Sequence, residues 1–512
     1  MLSLLQVCAH LGISSCRRLN FVREFWTDVF EPFLRSYELG HTPNPDVFCN
    51  RHIKFYALAN AVFNPRGGVR ADFLATGHYA RLQAGSSARS KVHEESDGDG
   101  GLAACDDALL RGADRLKDQS YFLSCVSGEQ LSNVLFPLGN LRKAEIRALA
   151  RAANLPTAGP SVSPRFHSFY LLFPCAFVFA WCKRGTGRVC CALIRRSDNC
   201  ARGLACAEKR DSYGVCSVGR KSSFGAFLGN YIEQQPGQFV RHEHYARRSA
   251  PGTTANKRDV QWPSIEHAGL ARYTVGGRAR IPGAAVAARG VRPGEAGHGS
   301  GTLDDARDSS EALYVAHKDV AENSVTVVPG RHHPALYTDC CAIPLLLPQS
   351  GETNVAGGVS WANDLREQHD MPRRLDHDDY FHFFSGHLPS KTLQLYCKTG
   401  YNQASLTRCS VTVARDATAL RALNAYHSES LRLATSNAQG DCPWLHVQFW
   451  RPVHAVTTHQ VIVLYTVREK GSDFDACVGG GKIALVGRSC GEKDSMLSDA
   501  CIMPADLVCT ST

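Results

Sequence analysis

The chain has 512 residues, 44% of them hydrophobic, enough for roughly two to four domains with sizeable cores and too apolar for a chain disordered throughout. Lysine and arginine number 57 against 48 acidic residues, a formal charge of +9 with 21 histidines besides, which permits an anionic partner such as nucleic acid without requiring one. Its 21 cysteines form no Cys-x-x-Cys pair and no regular spacing, so a zinc ribbon, a thioredoxin-like site and a secreted disulfide framework all lack support, and reduced thiols are expected.

Residues 1–20 lack acids and carry Arg17 and Arg18, but Leu11-Gly12-Ile13 reads as domain interior, so no targeting segment is read from them. From Phe21, apolar residues recur at Phe25, Val29, Phe33 and Tyr37, one face of a helix that Gly40 should end. The helix delivers the chain into Thr42-Pro43-Asn44-Pro45-Asp46-Val47-Phe48-Cys49-Asn50. Its prolines fix their own backbone and bias Thr42 and Asn44 toward extended conformations, presenting Asp46 and Cys49 on a pre-set turn. A carboxylate three residues before a thiol can do chemistry. Taken alone, the same composition also suits an ordinary turn with Cys49 as a small buried residue.

Asp72 to Ala80 reads as a buried strand running into a glycine turn, the place where ligands of α/β sheets usually sit. Residues 84–101 read as a surface insertion. Lys117-Asp118-Gln119 beside the apolar Tyr121-Phe122-Leu123 is either a ligand-facing loop or a solvated turn. A helix is expected from near Arg142, with Ile146, Leu149, Ala150 and Ala153 on one face. Residues 158–207 differ in style, crowd six cysteines together and are expected to be poorly ordered.

Cys216 then lies between Gly214 and Gly219, with Lys209, Arg220 and Lys221 near enough in sequence to favour a thiolate. A helix should follow through Phe224, Phe227, Leu228 and Tyr231. Residues 282–310 read as a linker or expanded loop. Short β-branched runs then predict strands at 312–316, 324–328, 392–397, 410–414, 460–467 and 482–486, the density of a compact barrel or sandwich. The histidines and aspartates between 369 and 387 have no ligand spacing diagnostic of a metal and are read as a solvated loop.

Taken together, TPNPDVFCN with IKF, ATGHYAR, LKDQSYFL, FPLG and RDSYGVC with its following GR resemble the tRNA-specific 2-thiouridylase family, most closely its eukaryotic mitochondrial branch. The resemblance covers residues 1–157 and 208–281, and more weakly 311–486. It implies an α/β fold with a partial Rossmann-like adenine-nucleotide domain of PP-loop type, a small central domain and a C-terminal β-barrel. The expected boundaries are 1–157 for the nucleotide-binding and catalytic domain, 158–207 for an insertion and 208–225 for the catalytic cysteine segment. The central domain and linker would take 226–300, and the barrel 311–490 with an insertion at 341–390.

The activity so implied is ATP-dependent replacement of the wobble uridine's C2 oxygen by persulfide sulfur. Cys216 would carry the persulfide, and Cys49 would free the sulfur by closing a Cys49–Cys216 disulfide. Asp46 could move a proton beside the base. Asn44, Pro45 and Asp46 would meet the base, which must flip out of its stack to reach them. His78, Lys117, Asp118, Gln119, Tyr401 and Gln460 match tRNA-contacting positions, and Gly77 an ATP-contacting one.

ATP with Mg²⁺, a sulfur-donor protein (a cysteine desulfurase or relay) and tRNA are the implied partners, with no resident metal and no membrane. The implied compartment is mitochondrial, or otherwise cytoplasmic. Several departures accompany the resemblance. The family's Ser-Gly-Gly-x-Asp-Ser pyrophosphate loop does not occur, which favours an N-terminally truncated sequence; the rival reading is a tRNA-binding remnant that cannot adenylate. Ser217, Gly400 and His459 stand where the family has an aromatic residue, an arginine and a glycine.

Overall fold

The computed structural model describes residues 2–13, 15–64, 71–84, 107–155, 177–181, 189–195, 224–242, 264–281, 312–345, 382–383, 392–403, 405–414, 416–423, 425–426, 430, 443–466 and 475–487. They form a mixed α/β N-terminal region, a small central sheet and a largely β C-terminal region. Among these residues, no helix is long and apolar enough to cross a membrane.

The apolar period from Phe21 gives the expected helix, as Val22–Phe25, Trp26–Phe30 and Glu31–Glu38 in succession, with its middle turn widened to π geometry. Val29, Phe33 and Tyr37 are buried along one side, as the i, i+4 spacing requires. The N-terminal sheet runs Ser15–Asn20, Val189–Arg195, Phe177–Trp181, Phe73–Thr76, Val134–Leu135. Two of its strands come from 158–207, where little order is expected from sequence: Val189–Arg195 pairs in parallel with Ser15–Asn20, and Phe177–Trp181 antiparallel with Phe73–Thr76. The helix expected near Arg142 is Lys143–Ala152; on its apolar face Ile146 and Ala150 are half-buried among the described residues, and Leu149 is 57% exposed.

The central sheet corrects the expected boundary of the C-terminal region. Leu313–Asp319 and Ser324–Pro329, assigned from sequence to the barrel, instead pair with each other and, through Ser324–Pro329, with Gly237–Arg241. Strand-forming composition marks a strand but says nothing of which sheet it joins.

The C-terminal sheet follows the order Leu485–Val486, Tyr337–Pro344, Trp444–His454, Thr407–Ala414, Leu393–Lys398, Val461–Thr466, Ala476–Lys482, Asp107–Arg111, Ala80–Ala84. Tyr337–Pro344 runs into 341–390, so the first part of that expected insertion is a core strand. Alternation puts Leu395, Cys409, Val447, Phe449, Ile462 and Leu464 into one core on one face. On the other face Val461, Val463, Tyr465 and Cys477 pack with Cys49, Ile53, Phe55, Leu74 and Tyr121 of the N-terminal region. The last two strands of the order, Asp107–Arg111 and Ala80–Ala84, are an N-terminal hairpin added to the edge of the C-terminal sheet.

Candidate functional site: the Asn44 to Cys49 loop

The loop begins where the first long helix stops. Gly40 has φ +73°, and a Cβ there would lie 2.8 Å from the Val320 side chain, so both the left-handed turn and the central region's approach require glycine. His41 N–H donates back to the Ser36 carbonyl at 2.9 Å, closing the helix end. Asn44 is extended, as a residue before proline should be, and its side-chain oxygen accepts from Asp46 N–H at 3.2 Å to cap the short helix Pro45–Phe48. The chain then continues through the π-helical stretch Cys49–Ala57 into Leu58–Phe63.

Cys49 is 2% exposed, at the junction where the α turn widens. Val47, Phe48, Ile53 and Phe55 hold this segment in the core, while Asn44 and Asp46 are half-buried. Next to Cys49, Asn50 Nδ2 donates to the Phe122 carbonyl at 2.9 Å, and its Oδ1 accepts from the buried Lys54 Nζ at 2.6 Å. The Asn44 side chain also hydrogen-bonds the Tyr121 hydroxyl. A thiol, a carboxylate and a capping amide are therefore presented from a backbone fixed on both sides.

Beside this loop, Lys117-Asp118-Gln119 is clamped to the end of the Phe73–Thr76 strand. Gln119 N–H donates to the Tyr79 carbonyl, and its side-chain oxygen accepts from Tyr79 N–H, both at 2.9 Å. The Thr76 hydroxyl and His78 Nδ1 lie 2.7 Å apart, and His78 is buried. Burial, with the Lys54 charge adding to it, keeps that imidazole neutral well below its ordinary value.

Asp118 is the centre of a buried charge network. Its Oδ1 accepts from Gly112 and Ser120 N–H at 3.1 Å each, and its Oδ2 accepts from Arg111 Nε at 2.9 Å and lies 3.5 Å from Lys398 Nζ. Arg111 also donates to Asp475 at 2.8 Å, and Arg115 lies 3.2 Å from the same carboxylate. Burial disfavours the Arg111 charge, but Asp118 and the hydrogen bonds outweigh it and hold the guanidinium protonated. Ser120 Oγ meets the Tyr465 hydroxyl at 3.1 Å, and Tyr121 donates to the Val461 carbonyl at 2.8 Å. The Lys117 to Tyr121 segment thus joins the N-terminal region to strands Leu393–Lys398 and Val461–Thr466.

The candidate residues are placed as follows. Asn44, Pro45, Asp46 and Cys49 share one turn. His78 and Asp118 are buried and bonded within the protein, whereas Gly77, Lys117 and Gln119 are half-buried. Tyr401 is half-buried with its ring 5.3 Å from that of Phe122, so it joins the same neighbourhood. Gln460 follows His459, whose ring stacks on His41 at 3.7 Å and 7°. Cys216 and Ser217 lie outside the described residues, as does the histidine-rich segment except for the short strand His382–Phe383.

Sequence reasoning passed over Arg111, Lys398, Asp475 and His41. The available signal was a single charge inside an apolar run, as in Leu395-Tyr396-Cys397-Lys398, because a charge survives burial only when paired.

The histidine stack predicts an acid sensitivity. Burial, then Lys318 and Lys482, lowers His41 to about 4; burial, then His41 and Lys482, holds His459 well below its ordinary value. Both rings stay neutral when folded but protonate near 6.5 when unfolded, so their stabilisation is complete above about pH 6.5 and is lost as pH falls toward about 4. His459 has φ +65°, which asparagine tolerates. In thermal unfolding at pH 7.5 and 5.0, His459→Asn should therefore show a smaller acid-induced shift than the unsubstituted chain.

The described cysteines form no disulfide among themselves. The hydrogen bond that the Cys397 thiol donates to Cys409, then burial, pushes it up, and burial does the same to Cys341 and Cys477, so these three are packing groups.

Residues 3–163 match the tRNA methyl transferase HUP domain family. The tRNA-specific 2-thiouridylase MnmA of Listeria monocytogenes is 28% identical over 468 residues, 91% of this chain and 77% of its own length. Its counterpart from Serratia proteamaculans is 33% identical over 330 residues, 64% of this chain and 60% of its own length. That of Staphylococcus aureus is 30% identical over 335 residues, 65% and 60% respectively. With its HUP domain at the N-terminal end, the chain is homologous to the tRNA-specific 2-thiouridylase MnmA enzymes.

Proposed function

We propose that the protein is a tRNA sulfurtransferase that replaces the C2 oxygen of the wobble uridine with sulfur, and that the Asn44 to Cys49 turn is its base-facing site. The observation that carries this reading is a buried thiol three residues after a half-buried carboxylate on a doubly braced turn, in a homologue of 2-thiouridylases. Asn44 and Pro45 orient an extruded uridine, and Asp46 holds or moves a proton beside it. Cys216 carries the sulfane sulfur. The Cys49 thiolate attacks Cys216 Sγ; the Cys49–Cys216 bond forms, the persulfide bond breaks, and the terminal sulfur leaves as sulfide to take the oxygen's place. Two thiols are oxidised to a disulfide while the sulfane sulfur is reduced.

ATP with Mg²⁺, which the family uses to activate that oxygen, would meet Gly77 at the end of the Phe73–Thr76 strand. Thr76 and His78 beside it are already bonded to each other, and the described residues there do not make a phosphate cradle. The C-terminal sheet reads as a closed barrel that holds the tRNA from the other side with Tyr401 and Gln460. Support for closure comes from residues just after Lys482: Ala484 N–H donates to the Ala342 carbonyl and Gly487 N–H to the Cys340 carbonyl, on Tyr337–Pro344, which stands second from the far end of the order.

The test is direct. The full chain, given ATP with Mg²⁺, a persulfide-loaded cysteine desulfurase and a tRNA with an unmodified wobble uridine, should yield tRNA retarded on a mercury-affinity gel. Tight tRNA binding with no retarded product would favour the binding-remnant reading instead.

A further inference from the structure

The outer face of the C-terminal sheet carries a cross-strand row that the sulfur-transfer site does not use. Leu395, Cys409 and Phe449 point into one core, so their neighbours Tyr396, Arg408 and Trp450 point to the opposite face. Tyr396 stands opposite Arg408, and Trp450 follows Phe449, the partner of Cys409, which brings Trp450 beside Arg408. The Arg408 guanidinium lies 4.0 Å from the centre of the Trp450 ring. On its other side Tyr396 pairs with Tyr465, whose hydroxyl meets Ser120. The row therefore starts at the Lys117 to Tyr121 segment and runs outward to a tryptophan that is 67% exposed.

We propose that Arg408 and Trp450, with Tyr396 behind them, are a stacking platform for an unpaired base of the tRNA, separate from the target uridine; this rests on the tRNA reading above. A planar guanidinium over an indole offers what single-stranded RNA recognition uses, a flat π surface for a base and a fixed cation for the adjoining phosphate. The next row of the same face, Gln394, Ser410 and Gln448, is uncharged, Asp339 sits in the bulge beside Gln448, and Arg451 next to Trp450 is exposed. An exposed cation and aromatic together, in a chain of charge +9, complement a polyanion with stackable bases better than an apolar protein face.

Binding of a fluorescently labelled tRNA transcript to the full chain, read by anisotropy, tests the platform. Trp450→Ala should weaken the Kd about tenfold and Trp450→Phe by no more than about threefold, while Arg408→Ala should weaken it and flatten its dependence on salt. In thiolation assays Trp450→Ala should raise the KM for tRNA by about the same tenfold, as expected of a residue that holds the tRNA away from the target base. Trp450→Ala binding within twofold of the unsubstituted chain, or a blunt RNA duplex competing as well as unlabelled tRNA, would overturn the platform and leave the function standing. A chain that binds no tRNA at all would overturn both.

Discussion

Asp118→Asn is expected to lower stability by about 3–5 kcal/mol, the largest effect foreseen for a single substitution outside the apolar core. The carboxylate side chain is fully buried, and it faces Arg111 at 6% and Lys398 at 2% exposure. Asparagine keeps the shape but leaves two cations in a low-dielectric junction with one acceptor charge fewer. It also replaces one of the two oxygens serving Gly112, Ser120 and Arg111 with a donor.

Asp475→Asn should cost less, because Asp475 is 15% exposed and Arg111 keeps its bond to Asp118. The measurement is urea unfolding of both variants, followed through the first transition, since a chain of several regions need not unfold in two states. An unchanged midpoint for Asp118→Asn would show that the buried charge network adds nothing net to stability.

Cys49→Ser should reduce thiolation on the order of 10³-fold or more, because a hydroxyl of ordinary acidity cannot attack a persulfide. The substitution is nearly isosteric in a site where Cys49 is 2% exposed, so unfolding should change little and the loss can be assigned to chemistry. Sulfur loading of the variant, read as the mass of one added sulfur atom, should persist at Cys216 while product disappears. Cys409→Ser is the control: it alters a packing thiol in the C-terminal core and should move stability but not turnover. Equal turnover by Cys49→Ser and the unsubstituted chain would remove Cys49 from the reaction.

Local features were legible wherever short-range rules decide the backbone. The i, i+4 series from Phe21, the stop at Gly40 and the extended Asn44 before Pro45 all appear as read, since periodicity, left-handed glycine and proline sterics act within a few residues. Sheet membership was not. The 313–329 strands joined the central sheet, and segments of 158–207 joined the N-terminal one, because pairing partners are chosen by tertiary packing. Tyr337–Pro344 and Trp444–His454, whose pairing anchors the C-terminal sheet, were missed where prolines and histidines obscure the alternation.

At the candidate site, the loop geometry followed from Pro43 and Pro45, but the burial of Asp118 and His78 did not. A polar triplet in sequence looks the same whether it faces a ligand or binds Arg111 and Lys398 inside.

The hairpin that the N-terminal region lends to the C-terminal sheet has a consequence for synthesis on the ribosome. Leu110 pairs with Ala476, and Arg111 binds Asp475 through both backbone and side chain. At about 5–20 residues per second the partner strand emerges on the order of 20–70 s after the hairpin, which leaves an open strand edge meanwhile and Arg111 with Asp118 alone of its two carboxylate partners. Nascent chains stalled between these points are where chaperone dependence of this protein should concentrate.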